Sequence, residues 1–236
     1  MRHINCNCIH DNIDQLSLIS YIEIFNSVKT FFLLFFLLAV VLLGYPFFNK
    51  SENTEIITGL PWQIEVMPDG STQVFGLHLG VSRLSDVLGI LGDDDMELAI
   101  IAATDEIGNL EMYYGHYRAG VISGKLVVQT SASEKNIKNW RERAVKSDYM
   151  PSGKAKKYLL SDEELNQALN EVVTGLTFIP VINLDEEIIL ARFGEPAERV
   201  QVDGAVHFRY PEKGLDIALF EEAKEVIQYV LPNISQ

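Results

Sequence analysis

The chain has 236 residues, with 19 Lys and Arg against 33 Asp and Glu, a formal charge of -14. Hydrophobic residues at 47% and charged ones at 22% exclude whole-chain disorder, and so acidic a chain is a poor partner for nucleic acid. Residues 1–50 hold three basic and three acidic groups, so the whole excess lies in 51–236, with 16 basic and 30 acidic residues.

Residues 1–28 read as a disordered tail, or as a translation start placed too far upstream. His3, Cys6, Cys8 and His10 resemble a miniature zinc site, but the Cys-x-Cys spacing is tight and no folded scaffold surrounds it. Both cysteines fall here, so the later part of the chain can form no internal disulfide.

Phe31 to Phe48 is 18 residues without a charge, bracketed by Lys29 and Lys50. A hydrocarbon core of about 30 Å takes roughly 20 helical residues, and flanking lysines can snorkel. A transmembrane helix over 29–49 is the expectation, with residues 29–49 in the lipid bilayer. A cleaved signal peptide is the alternative, but Leu42 and Gly44 make a poor cleavage site. A buried core helix would need a polar face that this run lacks. Basic residues barely differ across the span, so orientation rests on the acidic mass after it, which favours translocation; in a bacterium that side is the periplasm.

A linker, 50–60, leads to a first α+β unit, 61–130. Trp62–Val66 and Thr72–Leu77 flank Pro68-Asp-Gly70 as a β-hairpin. A short helix follows, capped by Ser82, with Leu84, Val87, Leu88 and Leu91 on one face and Gly92 as its stop. Strands are expected at Met96–Ala102, Leu110–Tyr114 and Val121–Gln129.

A helical connector, 131–176, comes next. Ile137, Trp140 and Ala144 form one stripe, Pro151-Ser-Gly153 breaks the chain, and Ser161-Asp-Glu-Glu164 is a capping box before Leu165, Ala168, Leu169 and Val172. A second unit, 177–236, repeats the first. Asp185 caps a helix that carries Ile188, Ile189 and Phe193 and ends at Gly194. Strands at Val206–Tyr210, Leu215–Phe220 and Val226–Leu231 follow, with Pro211–Gly214 as a turn. Gly92 matches Gly194 in role, and Gly108-Asn-Leu-Glu-Met is matched with Gly214-Leu-Asp-Ile. The expected fold class is α+β: two pseudo-repeats of a short helix plus an antiparallel β-meander, joined by a helical middle, after one transmembrane helix.

The candidate binding face is basic. Residues 135–157 hold eight Lys and Arg against Glu142 and Asp148, so the segment is +6. Lys135, Lys138, Arg141, Arg143 and Lys146 would present this charge to anionic lipid or an acidic partner. They could equally be a solvated helix face, or sit against the acidic remainder of the same domain. Asp93-Asp-Asp95 lacks the ligand spacing of a calcium loop. The run Tyr113-Tyr-Gly-His-Tyr117 could line a groove or be one strand's half-buried face. His78, His116 and His207 stand apart in sequence, and a catalytic pair among them would need convergence on one pocket. There is no Gly-x-Ser-x-Gly, His-Glu-x-x-His, P-loop or dinucleotide fingerprint. The expectation is therefore a binding protein with no catalytic residues, no metal and no cofactor.

Leu190-Ala-Arg-Phe-Gly-Glu-Pro196, with Phe208-Arg-Tyr and Leu215-Asp-Ile-Ala-Leu-Phe, resembles the small outer-membrane assembly lipoproteins (SmpA/OmlA, or BamE). The order of elements also resembles the tandem architecture of β-lactamase inhibitor proteins. Both resemblances imply a helix-plus-antiparallel-sheet binding module without enzymatic activity. The lipid-accepting Cys of the lipoproteins is missing here, so outer-membrane placement is not implied. The whole also resembles membrane-anchored proteins of the Gram-negative envelope, at the inner membrane. A protein partner met through an open sheet face is the expectation, and the alternative is a secreted periplasmic inhibitor or ligand-binding protein released by cleavage.

Overall fold

A computed structural model describes residues 29, 31, 33–40 and 58–232. The readings made for residues 1–28, for the second half of the apolar run and for most of the linker lie outside the described residues. The chain divides into two compact units, Met1–Glu55 and Ile56–Gln236. In the first, residues 29, 31 and 33–40 are helical, and Leu33 to Leu38 are exposed. Among the described residues no helix is long and apolar enough to cross a membrane.

The second unit is mixed α and β, built on one large antiparallel sheet. A small sheet comes first: β1 (Glu65–Val66), β2 (Thr72–Val74) and β3 (Leu77–His78). The Pro-Asp-Gly turn forms as expected, with Gly70 at φ 81° and its N–H donating to Met67 O at 2.9 Å. The expected single strand Thr72–Leu77 is instead broken by a second tight turn. Phe75 and Gly76 both take positive φ (53° and 80°), which folds β2 back onto β3. Phe75 is buried against Tyr117, Phe178 and Tyr229, and that packing offsets a conformation that bulky residues rarely adopt.

Helix α1 (Leu84–Leu91) buries Leu84 and Val87. Its N-cap is Arg83, whose N–H donates to Asp86 Oδ2 at 2.8 Å. Ser82, the expected cap, uses its hydroxyl one residue too early, accepting the His78 N–H at 3.0 Å. Then come β4 (Met96–Ala103), β5 (Asn109–Ala119) and β6 (Ile122–Thr130). A bulge between Tyr114 and Tyr117 lets both rings turn to the core and sends His116 outward.

Helix α2 (Glu134–Glu142), capped by Ser133, buries Ile137 and Trp140. The expectation of a helical connector is corrected next. Lys146–Tyr149 and Ala155–Leu159 are strands β7 and β8, paired across the Pro151–Gly153 break. Their lysines suit strands at a sheet edge, where charge blocks pairing with another chain. Helix α3 (Asp162–Ala168) is capped by Ser161 as expected, but it ends before Val172, and β9 (Val173–Pro180) follows. Helix α4 (Glu186–Phe193), capped by the Asp185 carboxylate accepting Ile188 N–H at 2.7 Å, leads to β10 (Glu198–Val202), β11 (Ala205–Tyr210), β12 (Leu215–Phe220) and β13 (Val226–Val230). The second meander thus has four strands rather than three.

Ten strands form one sheet in the order β10-β11-β12-β13-β9-β6-β5-β4-β8-β7. The order is symmetric about the β13–β9 seam: β10, β11, β12 and β13 mirror β4, β5, β6 and β9. The helices that precede the two sets end alike. Gly92 (φ 84°, ψ -179°) and Gly194 (φ 86°, ψ -172°) terminate α1 and α4, and each glycine carbonyl accepts a tyrosine hydroxyl at 2.8 Å, from Tyr114 and Tyr210. This lock pairs β5 with β11. Gly108 stands before β5 and Gly214 before β12, so the expected match of those two glycines is out of step by one strand.

One face of the sheet carries the core. A buried row runs across it through cross-strand pairs: Leu98, Met112, Val128, Leu176, Tyr229, Leu215 and Tyr210. The buried residues of α1, α2 and α4, and of the small sheet, join the same cluster. A fully buried Leu or Phe side chain contributes about 1.5–3 kcal/mol, so this continuous layer is what joins the two halves.

Candidate functional site: the open face of the sheet

Strand side chains alternate, so the same registers define the opposite face. One row there reads Glu97, Tyr113, Val127, Thr177, Gln228, Asp216, Arg209, Glu198. Lys125 pairs with Ile179 on the same face, and Val226, Ala218, His207 and Val200 continue across the strands beyond. No helix among the described residues contributes to the core from this side, and its larger residues are half-buried or exposed. Ten strands at about 4.8 Å spacing, averaging about 22 Å in length, give a face of roughly 950 Å², comparable to one partner's share of a standard interface.

The middle of the first row, Tyr113 to Gln228, carries no charge, and its two flanks do. Toward β10, Asp216 Oδ1 lies 3.0 Å from His207 Nδ1, and Arg209 lies 3.6 Å from both Asp216 Oδ2 and Glu198 Oε2. Toward β8, Lys157 Nζ donates to both Glu97 oxygens, at 2.7 and 2.9 Å. Val127, Thr177, Ile179 and Val226 fill the centre. Glu111 stands beside them between Ala99 and Gln129, and burial pushes its carboxyl above the usual range. Among the described residues no cation or hydrogen-bond donor meets it. Sequence alone gives no sign of this, because Glu111 lies in a strand whose register decides which way it faces.

The basic residues lie elsewhere, on α2 and the β7–β8 edge. Lys135 is exposed, and Lys138 lies 4.0 Å from Glu134. Arg141 is a clamp: Nη1 donates to the carbonyls of Glu106 (2.7 Å) and Ile107 (2.6 Å), Nη2 to Tyr158 Oη (3.2 Å), and the guanidinium lies over the Tyr158 ring. Arg143 meets the buried Glu164 at 3.3 Å, and Lys146 meets Asp148 at 2.6 Å. The structure therefore commits Arg141, Arg143 and Lys146 to contacts within the domain, leaving Lys135 and Lys138 the freer cations of the five. A concavity of about 190 Å³ sits under Arg141, bounded by Tyr149, Lys156 and Tyr158.

The three histidines do not converge. His116 pairs with Asp95 at 2.8 Å in an exposed position, and His207 pairs with Asp216. His78 Nε2 bonds the Ser71 hydroxyl, which also lies 2.5 Å from Asp69 Oδ1. The Ser71 hydroxyl and N–H hold the Asp69 carboxyl below its usual range. With Asp69 ionised, the one hydroxyl proton points to the carboxylate, so Ser71 accepts from His78. A general base would take the proton the other way, and this chain instead ties the hairpin turn together. Among the described residues no three His, Cys, Asp or Glu side chains are grouped to hold a metal ion. Comparison of the chain with protein-family models, curated proteins and solved structures finds no match.

Proposed function

We propose that this is a single-pass, non-enzymatic protein of the bacterial inner membrane, anchored through residues 29–49, whose periplasmic α+β domain binds a protein partner on the open sheet face. The observation that carries this reading is the asymmetry of the ten-stranded sheet. One face buries the whole core, while the other presents an interface-sized, partly apolar surface with charged flanks. The exposed apolar helix before the domain supports the anchor. The helix–glycine–tyrosine lock on both sides of the seam supports two copies of one unit, in keeping with the resemblance to tandem helix-plus-sheet binding modules.

Photo-crosslinkers placed at Thr177 and Gln228 of the full chain in cells test the face, with Ser152 in the β7–β8 turn as reference. One discrete adduct from Thr177 and Gln228, absent from Ser152, is the expected result. Adducts from Ser152 alone, or from none of the three, would remove the face as the binding surface.

A further inference from the structure

Strands β7 and β8 turn two tyrosines and a lysine to the same side. Tyr149 pairs with Lys156 across the two strands, and Tyr158 stands two residues along β8 from Lys156. Tyr158 is opposite Ile100 and Lys156 opposite Ala102, both buried, so this is the core side of the sheet, away from the open face. The concavity of about 190 Å³ under Arg141 lies between these side chains, α2 and the β4–β5 turn. A hollow of about 280 Å³ shares Arg141 and Tyr158 with it and adds Lys138 and Glu142.

Arg141 shapes the concavity and keeps its charge. Its bonds to the Glu106 and Ile107 carbonyls hold the β4–β5 turn, whose residues Thr104 and Asp105 form one wall. Carbonyls are neutral, so they leave the guanidinium charge uncompensated. Of its five N–H groups, two serve the carbonyls and one serves Tyr158 Oη, which leaves two. Because Tyr158 Oη accepts from Arg141, its own proton must go elsewhere, and among the described residues nothing takes it. Lys156 Nζ lies 4.6 Å from the centre of the Tyr149 ring, and among the described residues no carboxylate pairs with it. Three unused donor groups therefore line one small concavity.

The charge balance and the directions of these donors select the ligand. Arg141, Lys156 and Lys138 stand against Asp105 and Glu142, so three cations and two acids leave +1 around the two hollows, in a chain of -14. Asp105 pairs with neither Arg141 nor Lys156 among the described residues. The donors come from a helix, a strand and a phenol, and so from different directions. That suits an oxyanion with three terminal acceptor oxygens better than a planar carboxylate. The concavity is smaller than the roughly 300 Å³ at which drug-sized sites begin, so it suits one such group.

We infer that this concavity is a second binding site, for a phosphomonoester group, with Lys156, Arg141 and the Tyr158 hydroxyl donating to its oxygens. The site depends on neither the open face nor the anchor.

Titration calorimetry tests it, with inorganic phosphate added to the full chain in a non-ionic detergent at fixed ionic strength. One saturable site is expected, and succinate should bind more weakly than phosphate. Lys156→Gln and Tyr158→Phe should each weaken phosphate at least about tenfold, and Lys156→Arg should retain most of the affinity. Asp105→Asn removes the competing carboxylate and should tighten phosphate by up to about fivefold. Asp105 is exposed, so that gain stays readable even where Tyr158→Phe fails to fold. Glycerol phosphate and dihexanoyl phosphatidic acid distinguish the source of the group: tighter binding of the lipid places it on a headgroup, equal binding places it on a soluble molecule, and both support the site. Absence of saturable binding overturns the inference. So does an affinity that the changes at Lys156, Tyr158 and Asp105 leave unaltered, or succinate binding as tightly as phosphate.

Discussion

Glu111 offers the sharpest test of the open face. Its carboxyl stands half-buried beside the centre of that face, between Ala99 and Gln129, with no donor to meet it among the described residues. Burial raises its pKa in the folded chain above the ordinary value of 4.5. Below about pH 4.5 the group is protonated in both folded and unfolded chains, and it costs nothing. As pH rises, the unfolded chain ionises first and gains solvation the folded chain cannot match. Stability is lost up to the folded pKa and stays lower above it. Glu111→Gln removes the charge and keeps the shape. A fully buried unpaired charge would cost several kcal/mol, but partial exposure discounts this to about 1 kcal/mol. For a unit of this size that is about 2–4 °C in Tm. Thermal melts of the detergent-solubilised full chain, followed by the fluorescence of Trp62 and Trp140, read it directly. Glu111→Gln should melt higher at pH 7, and the two proteins should converge below pH 4.5. The same variant should weaken crosslinking at Thr177, because a destabilising charge kept on a surface is characteristic of a binding site. Equal melting at pH 7, or a gap that persists at pH 4, would refute the burial argument.

Tyr114→Phe and Tyr210→Phe each remove a hydroxyl that satisfies a helix-terminal glycine carbonyl, and each should cost about 1 kcal/mol by chemical denaturation; equal costs would support two equivalent units. Burial pushes the Tyr114 and Tyr117 phenols up to about 12, so the stability they carry is intact below pH 10 and lost as pH climbs through 12. Alkaline unfolding and the 295 nm phenolate absorbance should rise together there. At Gly214, φ is 59° and an added Cβ would lie 2.1 Å from Val230 O, so Gly214→Ala should cost more than about 3 kcal/mol, read as a collapse of soluble yield or Tm. Arg141→Lys keeps the charge but loses the fork that joins two carbonyls and a tyrosine; a loss of about 2 kcal/mol is expected, with circular dichroism checking that the fold persists.

Local chemistry made much of this fold legible. Asp185 and Gly194 bound a helix in sequence because a carboxylate can accept the free N–H groups at one end and glycine can take positive φ at the other. β12 was readable to the residue, since Leu215, Ile217 and Leu219 alternate toward the core. β9 was not. It follows directly on α3, and the helical spacing of Leu165, Ala168, Leu169 and Val172 runs into it. Its position between β6 and β13 is fixed by pairing with strands about 50 residues away on either side. β10 could have been found, because Asp203-Gly204 is a strong hairpin signal, and both residues take positive φ. The site was less legible than the fold. Composition exposed the basic cluster, yet the carbonyls that occupy Arg141 belong to residues 34 and 35 positions earlier. Which face of the sheet stays open depends on where all the helices pack, and no local pattern encodes that.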